Sequence, residues 1–239
     1  PREMDEFCAA AALGRTAFRC RVAAVAASPE RLREAIAGQP RAGDVVARGT
    51  AGEAPQTVWL FSGQGGARPG MAASLYEAFP LFRDRLDQCA RWFAAEGRDA
   101  LLPVLIEDGH DGLSRASLAQ PALFAFQWAL GGLWLDAGIR PAVVCGHSIG
   151  EYAAACIAGL LEPEQALHAI AERGRLMERL PEAGAMLAVA AAPEALADLL
   201  AAHPQVSISA YNGAAQVVCA GPRASLRVFA EAAGGRGLR

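Results

Sequence analysis

From Thr57 onward, short apolar runs alternate with longer stretches of helical period. TVWLFSG (57–63) is a four- to five-residue apolar run that gives way to the turn residues GQGGARPG (63–70). YEAFPLFRDRLDQCARWFAA (76–95) has helical spacing with one proline interruption, and SLAQPALFAFQWALGGLWLDA (117–137) predicts a second helix. PAVVCG (141–146) reads as a strand of the buried type. Helices then follow over Ile149–Leu161 and Pro163–Leu180. Apolar strands alternating with helices predict an α/β fold with a parallel sheet and helices on both faces.

After PEAG (181–184) the pattern changes. AMLAVAA reads as strand, PEALADLLAAH as helix, QVSISAYNG and AQVVCAG as two strands, and PRASLRVFAEAAG as helix. This β-α-β-β-α order is a ferredoxin-like unit without its last strand, so an incomplete module is expected at the C-terminal end. The first 52 residues differ again. FRCRVAAVAAS (18–28) predicts a strand, Ser28 caps a helix that starts at Pro29 and runs to Gly38, and QPRAGDVVARGTAGEAP (39–55) reads as loop. That piece is too small for a convincing core of its own.

Composition narrows the chemistry. The chain has 239 residues, 53% of them hydrophobic and 20% charged, enough for a substantial core. A net charge of −3 offers no electrostatic reason to expect nucleic acid or an anionic membrane as partner. All 22 basic residues are arginine, so a Walker A phosphate loop and a lysine Schiff base are both excluded for these residues. Six scattered cysteines without a CxxC argue against a zinc site and against a disulfide framework. With no signal-like opening and no apolar run of about 18 residues, a cytoplasmic location is expected.

CGHSIGEYAAA (145–155) carries the chemistry. GHSIG fits G-x-S-x-G, set between a predicted strand and a predicted helix, as a nucleophile elbow requires. The flanking glycines permit a sharp turn, so Ser148 is a candidate nucleophile; the competing role is an ordinary helix N-cap. Its oxyanion would be met by the N–H of Ile149 and by a second N–H from the loop 61–70. A dinucleotide-binding loop fails there, because Arg68 stands where the third glycine should be.

Arg173 bears on the substrate. At about 100° per residue, Ile170, Ala166, Leu167, Gly174, Met177 and Leu180 share one sector of their helix, and Arg173 falls inside it. Arg175, Arg179 and His168 point the other way. A guanidinium on an inward face needs an anion: either an internal Asp or Glu, or a substrate carboxylate held bidentately. A general base is not evident. His147 adjoins the serine, His110 sits in a loop, His168 is on a polar face, and His203 lies in a helix-to-strand connection.

Taken together, VWLFSGQGGARPGM (58–71), LAQPALFAFQWAL (118–130), GHSIGEYAAACIAGLL (146–161), ERGRLMERLPEAGAMLAV (172–189) and SAYNGAAQVVCAG (209–221) resemble the acyltransferase domain of modular polyketide synthases and, more broadly, malonyl-CoA:acyl carrier protein transacylases. GRTAFRCRVAAVAASPERLREAIAG (14–38) resembles the end of the linker joining a ketosynthase to such a domain. The resemblance implies a linker end over 1–52, a hydrolase-like large subdomain over 53–183 and a ferredoxin-like small subdomain over 184–239. It implies Ser148 as the acylated serine, Gln64 and Ile149 as oxyanion donors, Arg173 as the carboxylate ligand, and Gln120 and His147 as pocket residues. The family's catalytic histidine belongs to a segment after the ferredoxin-like unit.

The implied reaction moves an acyl group from acyl-CoA to Ser148 and then to the phosphopantetheine thiol of an acyl carrier protein. No bound cofactor or metal is implied. Partners would be acyl-CoA, the carrier protein and an adjacent ketosynthase. Ile149, where methylmalonyl-selective members carry glutamine, makes malonyl-CoA the favoured substrate. Another extender, a thioester hydrolase of the same fold, or a catalytically incomplete scaffold are the alternatives.

Overall fold

The computed structural model describes residues 2–14, 16–53, 55–98, 101–180 and 184–237. Two compact units divide the chain, residues 1–58 and 59–239. The first holds helix α1 (Arg2–Leu13), strand β1 (Cys20–Val25), helix α2 (Pro29–Ile36) and strand β2 (Val45–Thr50). The Ser28 side chain caps α2 by accepting from the Arg31 N–H at 3.3 Å, with Pro29 in the first turn. The stretch expected to be loop contains β2, which pairs antiparallel with β1 from Cys20↔Thr50 to Val25↔Val45. Val45, Val46 and Thr50 suit a strand, and Gly49 and Arg48 hid it; pairing with a distant strand decided the outcome. Asp44, its side chain fully buried, anchors the start of β2 through Arg31 at 2.6 Å.

The second unit begins within β3 (Val58–Phe61), followed by a single 3₁₀ turn over Gln64–Gly66. Helices α3 (Ala73–Ala78) and α4 (Pro80–Ala95) come next, with Pro80 opening the second, where its missing N–H costs nothing. Then come α5 (Leu101–Ile106), α6 (Ala116–Asp136), β4 (Val143–Gly146), α7 (Gly150–Ile157) and α8 (Pro163–Glu178). α5 is an addition to the sequence reading: LLPVLI is too short to show a period, yet Leu101, Val104 and Leu105 are buried. Phe82, Leu86, Phe93, Phe124, Leu167 and Ile170 are among the side chains that knit α4, α6 and α8 into one apolar core.

β3 and β4 form a two-stranded parallel sheet. Trp59, Phe61 and Val144 face the helical core. Leu60, Val143 and Cys145 point away and are exposed, Leu60 by 79%. Helices on both faces were expected; among the described residues they cover one.

Strand β5 (Gly184–Val189), helix α9 (Ala197–Ala202), strands β6 (Ser207–Gly213) and β7 (Gln216–Pro222) and helix α10 (Arg223–Gly235) follow the expected β-α-β-β-α order. Their sheet is antiparallel with β7 between β5 and β6. Phe229, Leu196, Val217 and Cys219 centre its own small core. Residues 181–183, where the expected subdomain boundary falls, lie outside the described residues. No helix among the described residues is long and apolar enough to cross a membrane.

Candidate active site

The site is built around the junction of β4 and α7. Ser148 has φ +55°, and among the described residues it is the only non-glycine with a positive φ. A side chain held in the left-handed region costs free energy that a mere turn would avoid by placing glycine there. The two flanking glycines are required sterically. A Cβ on Gly146 would sit 2.2 Å from the Glu151 nitrogen, and one on Gly150 would sit 2.3 Å from the Phe61 carbonyl oxygen. β3 therefore presses against the elbow, and the His147 N–H donates to the Phe61 carbonyl at 2.9 Å. The N-cap of α7 is Ile149, with no side-chain cap bond, so Ser148 does not spend its hydroxyl on capping. The hydroxyl is exposed.

The loop after β3 closes over this turn. A Cβ on Gly63 would meet the His147 ring nitrogen Nδ1 at 2.7 Å, so glycine is what allows the loop to come so near. Gln64 opens its 3₁₀ turn and Ile149 precedes α7. First-turn N–H groups have no acceptor within their own helix. The Ile149 side chain is fully buried and fixes its backbone.

Arg173 reaches the site from α8. Its Nη2 lies 3.5 Å from Ser148 Oγ, and its Nη1 donates to Gln120 Oε1. Among the described residues no carboxylate pairs with it. The internal acid offered as an alternative is not found among the described residues; the neutral amide of Gln120 orients the guanidinium instead and leaves its charge available. Gln120 is fully buried, and its Nε2 donates to Gln64 Oε1 at 3.2 Å and contacts Met177 Sδ at 3.3 Å. Gln64, Gln120, Ser148, Ile149 and Arg173 are thus brought to one place.

The helical-wheel argument holds for only part of α8. Ala166, Leu167, Ile170, Ala171 and Gly174 are buried, but Met177 and Leu180 are 44% and 64% exposed, and Arg173 itself is half-buried. The end of α8 overhangs an open groove of about 990 Å³, lined by Met177, Leu180, Met186 and Pro222 among others. A helix face faces the core only as far as a neighbour covers it.

The histidines have other work. His110 accepts from the Gly112 N–H at 3.0 Å and caps its own turn. His168 pairs with Glu96, and His203 packs edge-on against Phe229 with Nδ1 2.8 Å from the Leu199 carbonyl. Burial would raise the Glu96 carboxyl, but hydrogen bonds from His168 and Arg98 outweigh it and hold it below its ordinary value. His147 is exposed beside Gly63. None of the four hydrogen-bonds Ser148.

One residue beside the site escaped the sequence reading. Gln127 donates through Nε2 to the Ser62 carbonyl at 2.8 Å and approaches Ser62 Oγ at 3.1 Å. The signal was present: Gln120 and Gln127, seven apart on an otherwise apolar helix, share a face. The elbow serine, the glycine loop and an arginine with no carboxylate partner among the described residues thus meet at one place on an α/β framework. The acyl transferase domain family matches residues 58–239, and the chain belongs to that family.

Mycoketide-CoA synthase of Mycobacterium tuberculosis is 40% identical over 224 residues, 91% of this chain and 5% of that protein. The acyltransferase domain from the second module of the salinomycin polyketide synthase superimposes with a TM-score of 0.80 at 34% identity, covering 100% of this chain and 60% of that one. A malonyl-transacylase in complex with its type II acyl-carrier protein gives a TM-score of 0.68 at 29% identity, covering 77% of this chain and 61% of that one. The chain thus spans about 5% of the curated relative and about 60% of the solved relatives.

Proposed function

We propose that this chain is an acyltransferase that loads an extender unit, malonyl, onto an acyl carrier protein in polyketide synthesis. Ser148 Oγ attacks the thioester carbonyl of malonyl-CoA. The N–H groups of Gln64 and Ile149 receive the oxyanion, and collapse expels the CoA thiol, which leaves with the serine proton. The phosphopantetheine thiol of the carrier protein then attacks the seryl ester, takes the malonyl group and returns a proton to Ser148. The carrier-protein complex of the related transacylase supports that partner. Residues 1–52 are read as the end of a linker to a ketosynthase, 53–183 as the large subdomain and 184–239 as the small one.

One observation carries the reading: a guanidinium with no carboxylate partner among the described residues, 3.5 Å from the elbow hydroxyl. A hydrolase of simple acyl esters has no use for that charge, whereas the free carboxylate of a diacid thioester does. The choice of malonyl over methylmalonyl rests on Ile149 in place of glutamine. Incubation with malonyl-, methylmalonyl- and acetyl-CoA, read by intact-protein mass spectrometry, tests both levels. Malonylation that Ser148→Ala abolishes is expected. Arg173→Ala should lower the preference for malonyl- over acetyl-CoA by about 2–4 kcal/mol, the worth of a charge-assisted pair. Equal labelling of the wild type by acetyl-CoA would refute the role of Arg173, and preferred methylmalonylation would refute the extender.

A further inference from the structure

Gln120 and Gln127 are the buried polar residues among the described positions, 0% and 7% exposed. Both lie on α6 and both turn toward the loop after β3. Gln120 holds the Gln64 side chain from one side. Gln127 holds Ser62, two residues before Gln64, from the other. Its amide can sit only one way round, because the Ser62 carbonyl accepts and cannot donate. That orientation leaves Gln127 Oε1 buried without a hydrogen-bond partner among the described residues. A lone buried acceptor costs stability, so packing alone would favour leucine here.

We propose that Gln127 is a positioning residue for the oxyanion loop. By clamping the Ser62 carbonyl, it sets the height of the 3₁₀ turn at 64–66 and hence the aim of the Gln64 N–H. Crowding on the other side completes the clamp: the Ser62 carbonyl oxygen lies 2.8 Å from where a Gly150 Cβ would be. The loop has little room except where Gln127 holds it. This inference rests on the reading of Gln64 as an oxyanion donor.

Gln127→Leu and the near-isosteric Gln127→Glu both remove the donor to the carbonyl, while Ser62→Ala removes only the hydroxyl contact. In the full chain, amide hydrogen exchange over 61–67 should quicken about tenfold in both Gln127 variants and stay within about twofold in α6 and β4. The plateau rate of Ser148 acylation by malonyl-CoA should fall about tenfold, short of the loss on deleting a donor outright, with the half-saturating concentration within about twofold. A donor that acts in the transition state changes the plateau and not the binding. Ser62→Ala should behave like the wild type. Unchanged exchange at 61–67, protection lost throughout the unit, or weaker half-saturation with an unchanged plateau would each overturn the proposal. If the wild type takes no malonyl group, the reading of the site fails, and exchange at 61–67 alone decides whether Gln127 holds the loop.

Discussion

Ser148 shows how much one residue can be asked to bear. Its φ of +55° is a conformation that glycine adopts freely and that costs a Cβ-bearing residue about 1–2 kcal/mol. Ser148→Ala keeps the strain and loses the hydroxyl; Ser148→Gly loses both. The glycine variant is therefore expected to be more stable than the alanine variant by roughly 1 kcal/mol, as measured by urea unfolding. Equal stabilities would mean that the elbow is unstrained in solution. The G-x-S-x-G spacing made the elbow legible, because two glycines around one serine state the backbone requirement directly. The same does not hold for Gln127. A glutamine in an apolar helix signals a buried polar contact, but its partner is 65 residues away, and only the fold brings Ser62 to it.

At the scale of elements, α8 places Arg173, and its placement depends on Gly174. A Cβ there would lie 2.5 Å from the Ala116 carbonyl oxygen and 2.7 Å from the Ser117 Cα, both backbone at the start of α6. Helix propensity alone says that Gly174→Ala stabilises by about 1 kcal/mol. The close approach says the opposite: α8 must move off α6, costing about 1–3 kcal/mol and carrying Arg173 away from Ser148. Lower stability together with weaker malonyl selectivity is the expected outcome; a stabilised, fully selective variant would show that the helices can separate freely. The helical period revealed α4, α6 and α8 because each is long enough to repeat its pattern. It failed for β2 and α5, which are six residues each and owe their state to partners elsewhere in the chain. It also overextended the apolar face of α8 to Met177 and Leu180, since periodicity reports which residues share a face and not what covers it.

Across the whole molecule, burial sorts the cysteines. Cys8, Cys20 and Cys145 are exposed, Cys89 and Cys219 are buried, and Cys156 is half-buried. Burial, with Glu162 nearby, pushes the Cys156 thiol up to about 11, and burial raises Cys89 and Cys219 as well. A raised thiol pKa leaves little thiolate at pH 8, and alkylation needs the thiolate. Iodoacetamide at pH 8 should therefore label Cys8, Cys20 and Cys145 quickly, and the other three only on unfolding or as the pH rises toward 11 for Cys156. Fast labelling of Cys156 would mean that α7 does not pack as described. By itself the sequence determined the alternation of strands and helices, the β-α-β-β-α order of the last third, and the position of the elbow, since each is written in local spacing and in glycines. Tertiary structure decided the rest: that Arg173 meets the amide of Gln120, with no acid on it among the described residues, and that two glutamines grip one loop. Those outcomes depend on which surfaces meet, and a linear pattern records what each segment offers without recording what it receives.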